Sequence, residues 1–188
     1  MADREHTHVP VAVYIGQNSK EDGIVANNNT PNDYLKEIDW DSAIAAADIE
    51  IKKGEASGNV PFDTYLDKGI ALCLKDKKES KDGKYQDAID ALSRVIAASN
   101  ENEEKARYYR AYAYYLSGNY ERALKDCQGN KYKVLMNALK GKILFAMERY
   151  YEAAEILGDA LKEQLPDNLP SPGLLDDYRE SCKRMNNQ

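Results

Sequence analysis

The segment RYYEAAEIL at residues 149–157 occurs twice more along the chain in similar form. Its counterparts are KYQDAIDAL at residues 84–92 and NYERALKDC at residues 119–127. In each segment a tyrosine is followed three residues later by an alanine, and four residues after that by an apolar side chain. The three alanines recur 35 and 30 residues apart. Self-similarity at a period of about 20 to 50 residues predicts a stack of repeated units.

A second small residue precedes each of these alanines and opens an apolar stripe. These residues are Gly69 in LDKGIALCL, Ala111 in YRAYAYYL and Gly141 in LKGKILFA. Residues three and four apart share one face of a helix, so each segment is typical of an amphipathic helix. Small side chains on two consecutive helices allow their backbones to approach closely. The sequence therefore predicts repeated pairs of closely packed antiparallel helices.

This combination of a small residue, a tyrosine and an alanine resembles the tetratricopeptide repeat, a unit of about 34 residues that forms a helix, a turn and a helix. The resemblance covers residues 62–165, in three degenerate copies. It implies an all-α fold in which the helix pairs stack into a solenoid. It also implies that the first helix of each copy contributes one stripe to a concave binding surface.

The flanking segments predict an extension and a cap. Residues 1–38 have loop composition with one short β-branched run, and we expect them to be extended or partly disordered. Residues 39–54 predict a single helix that ends at a glycine. Residues 171–186 predict a last helix with an apolar side, which we expect to cap the open end of the solenoid because a stack must shield its core there.

Composition limits the classes of partner. The chain has 188 residues and a net charge of −6, and such an acidic balance disfavours the binding of nucleic-acid phosphates. No apolar run approaches the roughly 18 residues needed to cross a bilayer, so we expect no membrane insertion. The first ten residues lack a signal-peptide pattern, and the three cysteines are widely spaced. Both features favour a cytoplasmic protein with reduced thiols.

The sequence does not indicate an enzyme. Its only histidines, His6 and His8, lie in the amino-terminal segment, and the predicted helices contain no pairing of a nucleophile with a base. Glycine-rich phosphate loops are also missing from the sequence. We therefore expect neither catalysis nor a bound cofactor or metal ion.

The resemblance assigns a peptide-binding groove to one stripe of each first helix. The stripe of the second copy holds three of the six tyrosines found between residues 108 and 120. Large, exposed apolar surfaces of this kind mark interaction sites, and tyrosine provides broad contact area with few rotatable bonds. The predicted groove residues are Leu66, Ile70, Cys73, Lys105, Tyr108, Tyr112, Tyr115, Leu135, Lys142 and Phe145. With Asp63, the two lysines are the only charges expected there.

Many tetratricopeptide cochaperones hold the EEVD tails of heat-shock chaperones with a clamp of asparagine, lysine and arginine side chains. At the clamp positions this chain has Leu66, Ile70, Tyr109, Leu135 and Leu139. Apolar side chains cannot satisfy a buried carboxylate. The sequence therefore argues against EEVD-tailed partners.

Two functions follow from the predicted groove. One is an adaptor or dedicated chaperone that binds an apolar or amphipathic segment of another protein. The alternative is a structural subunit or scaffold whose groove is occupied by its own amino-terminal or carboxy-terminal segment, with the short apolar run at residues 9–15 as one candidate.

Overall fold

A computed structural model describes residues 40–75, 84–99, 101–129, 132–164 and 172–186. In this part of the chain all regular secondary structure is α-helical. The helices are α1 (Trp40–Ser57), α2 (Phe62–Lys75), α3 (Lys84–Ala97), α4 (Glu103–Leu116), α5 (Tyr120–Asp126), α6 (Lys133–Ala146), α7 (Tyr150–Gln164) and α8 (Pro172–Met185).

The helices pack as three consecutive pairs. α2 packs against α3, α4 against α5, and α6 against α7. α1 packs against α2 at one end of the stack, and α8 packs against α7 at the other. The first helices of the pairs also contact each other in order, α2 with α4 and α4 with α6, and α8 follows α6 in the same series. This arrangement confirms the predicted all-α helical repeat solenoid.

The two glycines predicted to allow close helix packing both lie against the second helix of their pair. A Cβ atom on Gly69 would lie 2.5 Å from Leu92 Cγ, and a Cβ on Gly141 would lie 2.4 Å from Leu157 Cγ. Both leucines are fully buried. In the second pair Ala111 takes the equivalent position and is also fully buried. The first and third repeats therefore use the same glycine–leucine contact.

The second helix of the middle repeat is much shorter than its counterparts. α5 has seven residues and ends at Asp126. Its last carboxylate is buried, with 4% of the residue exposed. Arg110 on α4 donates two hydrogen bonds to it, from Nε at 2.6 Å and from Nη2 at 2.7 Å, and a third from Nη1 to Ser93 Oγ on α3 at 2.9 Å. This ion pair ties three helices together where α5 stops.

α1 continues three residues beyond Gly54, where the sequence predicted its end. Asn59 N–H donates to Gly54 C=O at 2.9 Å, and a Cβ on Gly54 would lie 2.6 Å from Asn59 O. The glycine is therefore required by close packing of the following turn. The helix ends before Gly58, which has a φ of +74°. Lys68 Nζ on α2 pairs with Asp48 at 2.6 Å and holds α1 against the first repeat.

α8 packs its apolar side on α7. Leu174 is buried, and Leu175 and Tyr178 pack against the same cluster, which includes Leu157. The edge of the Tyr178 ring lies 3.3 Å from where a Cβ on Gly158 would be. The predicted segment at residues 1–38 lies outside the described residues, and the division of the chain into domains stays a prediction.

Candidate functional site

The first repeat does not contribute an open part of the predicted groove. Leu66, Ile70 and Cys73 are buried, with exposures of 2%, 0% and 0%. They belong to the first core cluster, against which Tyr109 and Tyr112 of α4 also pack. Because the neighbouring helix covers this stripe, the assignment of these three residues to a groove is wrong for this conformation.

The second repeat presents a row of half-buried rings. Tyr112 and Tyr115 stack with ring centroids 6.4 Å apart, and Tyr115 lies 6.1 Å from Tyr120. Tyr108 makes an edge contact with Tyr109 at 5.2 Å. Lys105, on the same helix, is also half-buried. These rings serve the core and leave part of their surface open.

Tyr112 connects two parts of the hydrophobic interior. It packs against the cluster of the first repeat and against the cluster formed by Ala111, Leu139 and Ile143. Tyr108 and Tyr115 pack against the second of these clusters. The tyrosine-rich stretch therefore joins the repeats, in addition to any role in binding.

The third repeat leaves more of the predicted stripe exposed. Leu135 is 49% exposed, and Lys142 is also exposed. Phe145 is half-buried and meets Tyr150 edge-to-face at 5.2 Å. Open apolar surface thus continues from α4 onto α6.

A cleft of about 240 Å³ lies where α4, α6 and α8 meet. Tyr115, Lys142, Phe145, Asp177 and Glu180 line it. Lys142 Nζ forms an ion pair with Asp177 Oδ2 at 2.8 Å. Three of these residues were predicted for the groove, and the structure brings them together.

The two carboxylates of the cleft were not predicted for the groove, because the helix that carries them, α8, was interpreted as a cap. α8 stands beside α6 in the same series as the first helices of the repeats, so it adds one more wall to this surface. Continuing the stripe onto α8 would have found Asp177 and Glu180, which are three residues apart. Asp177 and Glu180 therefore add two carboxylates to the charges expected for the groove, and Lys142 already has a carboxylate partner.

The buried rings lead to a prediction for alkaline solution. Burial raises the pKa of Tyr112 to about 12, and burial also raises the pKa values of Tyr108 and Tyr109. An unfolded tyrosine has a pKa of about 10, so between about pH 10 and 12 the unfolded chain binds fewer protons than the folded chain. The contribution of these rings to the free energy of unfolding is complete below about pH 10 and is lost as the pH rises through this window.

We therefore expect the urea midpoint of unfolding to fall steeply across that window, while ultraviolet absorbance detects late-ionising tyrosines in the folded protein. If all tyrosines of the folded chain ionised together near pH 10, the buried position of these rings would be contradicted.

Among the described residues, no three His, Cys, Asp or Glu side chains are placed to hold a metal ion. The same part of the chain contains no helix with the length and apolar character needed to span a membrane. His6 and His8 lie outside the described residues.

A family model described as anaphase-promoting complex, cyclosome, subunit 3 matches residues 81–160. The matched stretch contains all of α3 to α6 and most of α7, and it is less than half of the 188 residues. No curated protein and no solved structure matches the chain significantly.

The stacked helix pairs and this match define the chain as a helical repeat protein, a class whose general role is protein–protein interaction and whose fold is typically non-catalytic. The match and the tyrosine and alanine spacing are together consistent with a tetratricopeptide repeat protein.

Proposed function

We propose that the surface formed by α4, α6 and α8 binds an apolar or amphipathic segment of another protein, and that the chain works as an adaptor or dedicated chaperone. The observation that carries this proposal is the exposure of Leu135, at 49%, on a helix series that also holds the incompletely buried rings of Tyr108, Tyr115 and Phe145. The dispersed cysteines support a cytoplasmic setting for this role.

The expected affinity is modest. Burial of apolar surface contributes roughly 25 cal/mol per Å², so a few hundred Å² yields several kcal/mol before the cost of ordering the partner. This corresponds to micromolar binding at best. Partly buried rings such as Tyr115 lose little additional freedom on binding because their neighbours already hold them.

Leu135→Ala tests this function. We expect about a tenfold loss of affinity for peptides selected on the wild-type chain from a random-sequence display library, which is about 1.4 kcal/mol. Thermal stability should hardly change, because the leucine side chain is half-exposed at the start of α6. Fluorescence anisotropy measures the affinity, and circular dichroism measures the melting temperature.

Tyr151→Ala is the matched control. Tyr151 is the most exposed large apolar residue described, at 69%, but it lies on α7, a second helix of a repeat. Its removal should leave peptide binding unchanged. If Tyr151→Ala weakened binding and Leu135→Ala did not, the proposed surface would be the wrong one.

A structural role is the second candidate. The ion pair between Lys142 and Asp177 shows that the carboxy-terminal helix reaches a predicted groove residue, which favours occupancy by the chain's own carboxy-terminal segment. The amino-terminal candidate, residues 9–15, lies outside the described residues. Failure of the display experiment to enrich any peptide would favour this scaffold function.

A further inference from the structure

We propose that the cleft between α4, α6 and α8 accepts a lysine or arginine side chain of the bound segment. This inference rests on the proposed function and specifies the chemistry of its partner. The segment would combine apolar residues with at least one cationic side chain, directed toward the α8 end of the surface.

The geometry of the cleft suits one long side chain. Three neighbouring helices, α4, α6 and α8, line it, and its volume is about 240 Å³. Phe145 and Tyr115 supply aromatic walls, while Asp177 and Glu180 lie on the opposite helix. An aliphatic stem could pack against the rings while its charged end reaches the carboxylates, as lysine and arginine commonly do.

The charges of the lining favour a cation over an anion. Two of the five lining residues are carboxylates, and the one ammonium group, on Lys142, already contacts Asp177 at 2.8 Å. The faces of Phe145 and Tyr115 attract cations through the ring quadrupole. A carboxylate entering the cleft would instead approach Asp177 and Glu180, and like charges at close range raise the free energy of the complex.

A purely apolar occupant is also disfavoured. It would remove water from Glu180 and from the Lys142–Asp177 ion pair without offering either a hydrogen bond, and desolvation of charged groups is costly. A guanidinium or ammonium group replaces the lost water with charge-assisted hydrogen bonds. The mixed lining is therefore suited to a side chain that is apolar along its length and positive at its end.

Glu180 can change partners at little cost. Its carboxylate now contacts Arg184 Nε at 2.9 Å and Lys183 Nζ at 3.9 Å, both on the same helix. The side chains of Arg184 and Lys183 are mostly exposed, at 55% and 72%. Exposed pairs one helical turn apart contribute little to stability. A partner's cation can therefore take the place of Arg184.

The test compares wild-type protein with Glu180→Gln and Asp177→Asn, using peptides selected on the wild-type chain from a random-sequence display library. We expect the selected peptides to be enriched in lysine or arginine beside apolar residues. Replacing that basic residue with glutamine should lower affinity for the wild-type chain about tenfold. The same replacement should hardly affect affinity for Glu180→Gln, because the carboxylate that recognises the charge is gone.

Glu152→Gln is the control variant. Glu152 is also an exposed carboxylate paired with an arginine, Arg149, at 2.6 Å, but it lies on α7 and does not line the cleft. It should retain the full preference for basic peptides. Melting temperatures of Glu180→Gln and Asp177→Asn show whether any loss of preference reflects a folding defect.

The outcomes separate this inference from the proposed function. Enrichment of apolar peptides without a basic residue, sensitive to Leu135→Ala, would overturn the cation site and leave the binding surface intact. Enrichment of acidic peptides would also overturn it and would point to Lys142 as the anchor. Failure to enrich any peptide would overturn both proposals.

Discussion

Replacing Asp126 by alanine is expected to lower the free energy of unfolding by about 3 kcal/mol. The carboxylate is buried and accepts two hydrogen bonds from Arg110, whose side chain is only 18% exposed. Removal of one member of a buried ion pair leaves the other without compensation, which typically costs about 3–5 kcal/mol. The lower end applies here, because Arg110 keeps its contact with Ser93 and some access to water. Urea unfolding followed by circular dichroism measures the change.

Asp159→Ala is the matched control for this prediction. Asp159 contacts Lys162 at 2.9 Å, but their side chains are 55% and 78% exposed. An exposed ion pair contributes at most about 1 kcal/mol, so stability should hardly change. Equal effects of the two substitutions would mean that the ion pair at the end of α5 is not buried as described.

Replacing Gly141 by alanine should destabilise the protein by about 2 kcal/mol, although alanine is the better helix former. An added Cβ would lie 2.4 Å from Leu157 Cγ, and Leu157 is fully buried. Overpacking of this kind costs about 1–3 kcal/mol, which outweighs the gain of up to about 1 kcal/mol in helix propensity. Urea unfolding measures the difference.

Two further variants identify the cause of that loss. Gly173→Ala, on α8, places a Cβ with no heavy atom within 4 Å and should be neutral or slightly stabilising. The double variant Gly141→Ala with Leu157→Ala should lose less stability than the sum of the single changes, because the smaller side chain removes the overlap. Strict additivity would show that Gly141 and Leu157 do not contact each other as described.

The repeat architecture could be predicted because the decisive contacts are encoded by local spacing. Gly69 and Gly141 are small residues at the same position of their repeats, and Leu92 and Leu157 both follow the repeated alanines by four residues. This spacing remains recognisable although the three repeats are degenerate. The pairing of helices therefore needed no knowledge of the surrounding structure.

The limits of the groove could not be predicted in the same way. Helical spacing assigns Ile70 and Cys73 to the stripe of α2, but it does not reveal that the chain around Tyr109 and Tyr112 packs over the same cluster. Large rings extend far enough from their own helix to cover a neighbour. Whether a stripe is open therefore depends on the next repeat, and the sequence of one helix does not contain that information.

The surroundings of charged side chains were difficult to predict for a related reason. Asp126 and Glu180 both look like ordinary solvated acids in the sequence, yet one is buried and the other lines a cleft. The first depends on where the short α5 stops, and the second on α8 standing beside α6. Both are consequences of tertiary placement.

The shortness of α5 has a mechanical consequence. In a stacked array, stability is approximately the sum of the stabilities of single units and of the contacts between adjacent units. A unit whose second helix has seven residues has less helix to pack against its neighbours, so we expect it to form the most compliant joint of the array. A segment lying across Tyr115 and Phe145 would span this joint, and occupancy of the surface would stiffen the whole solenoid.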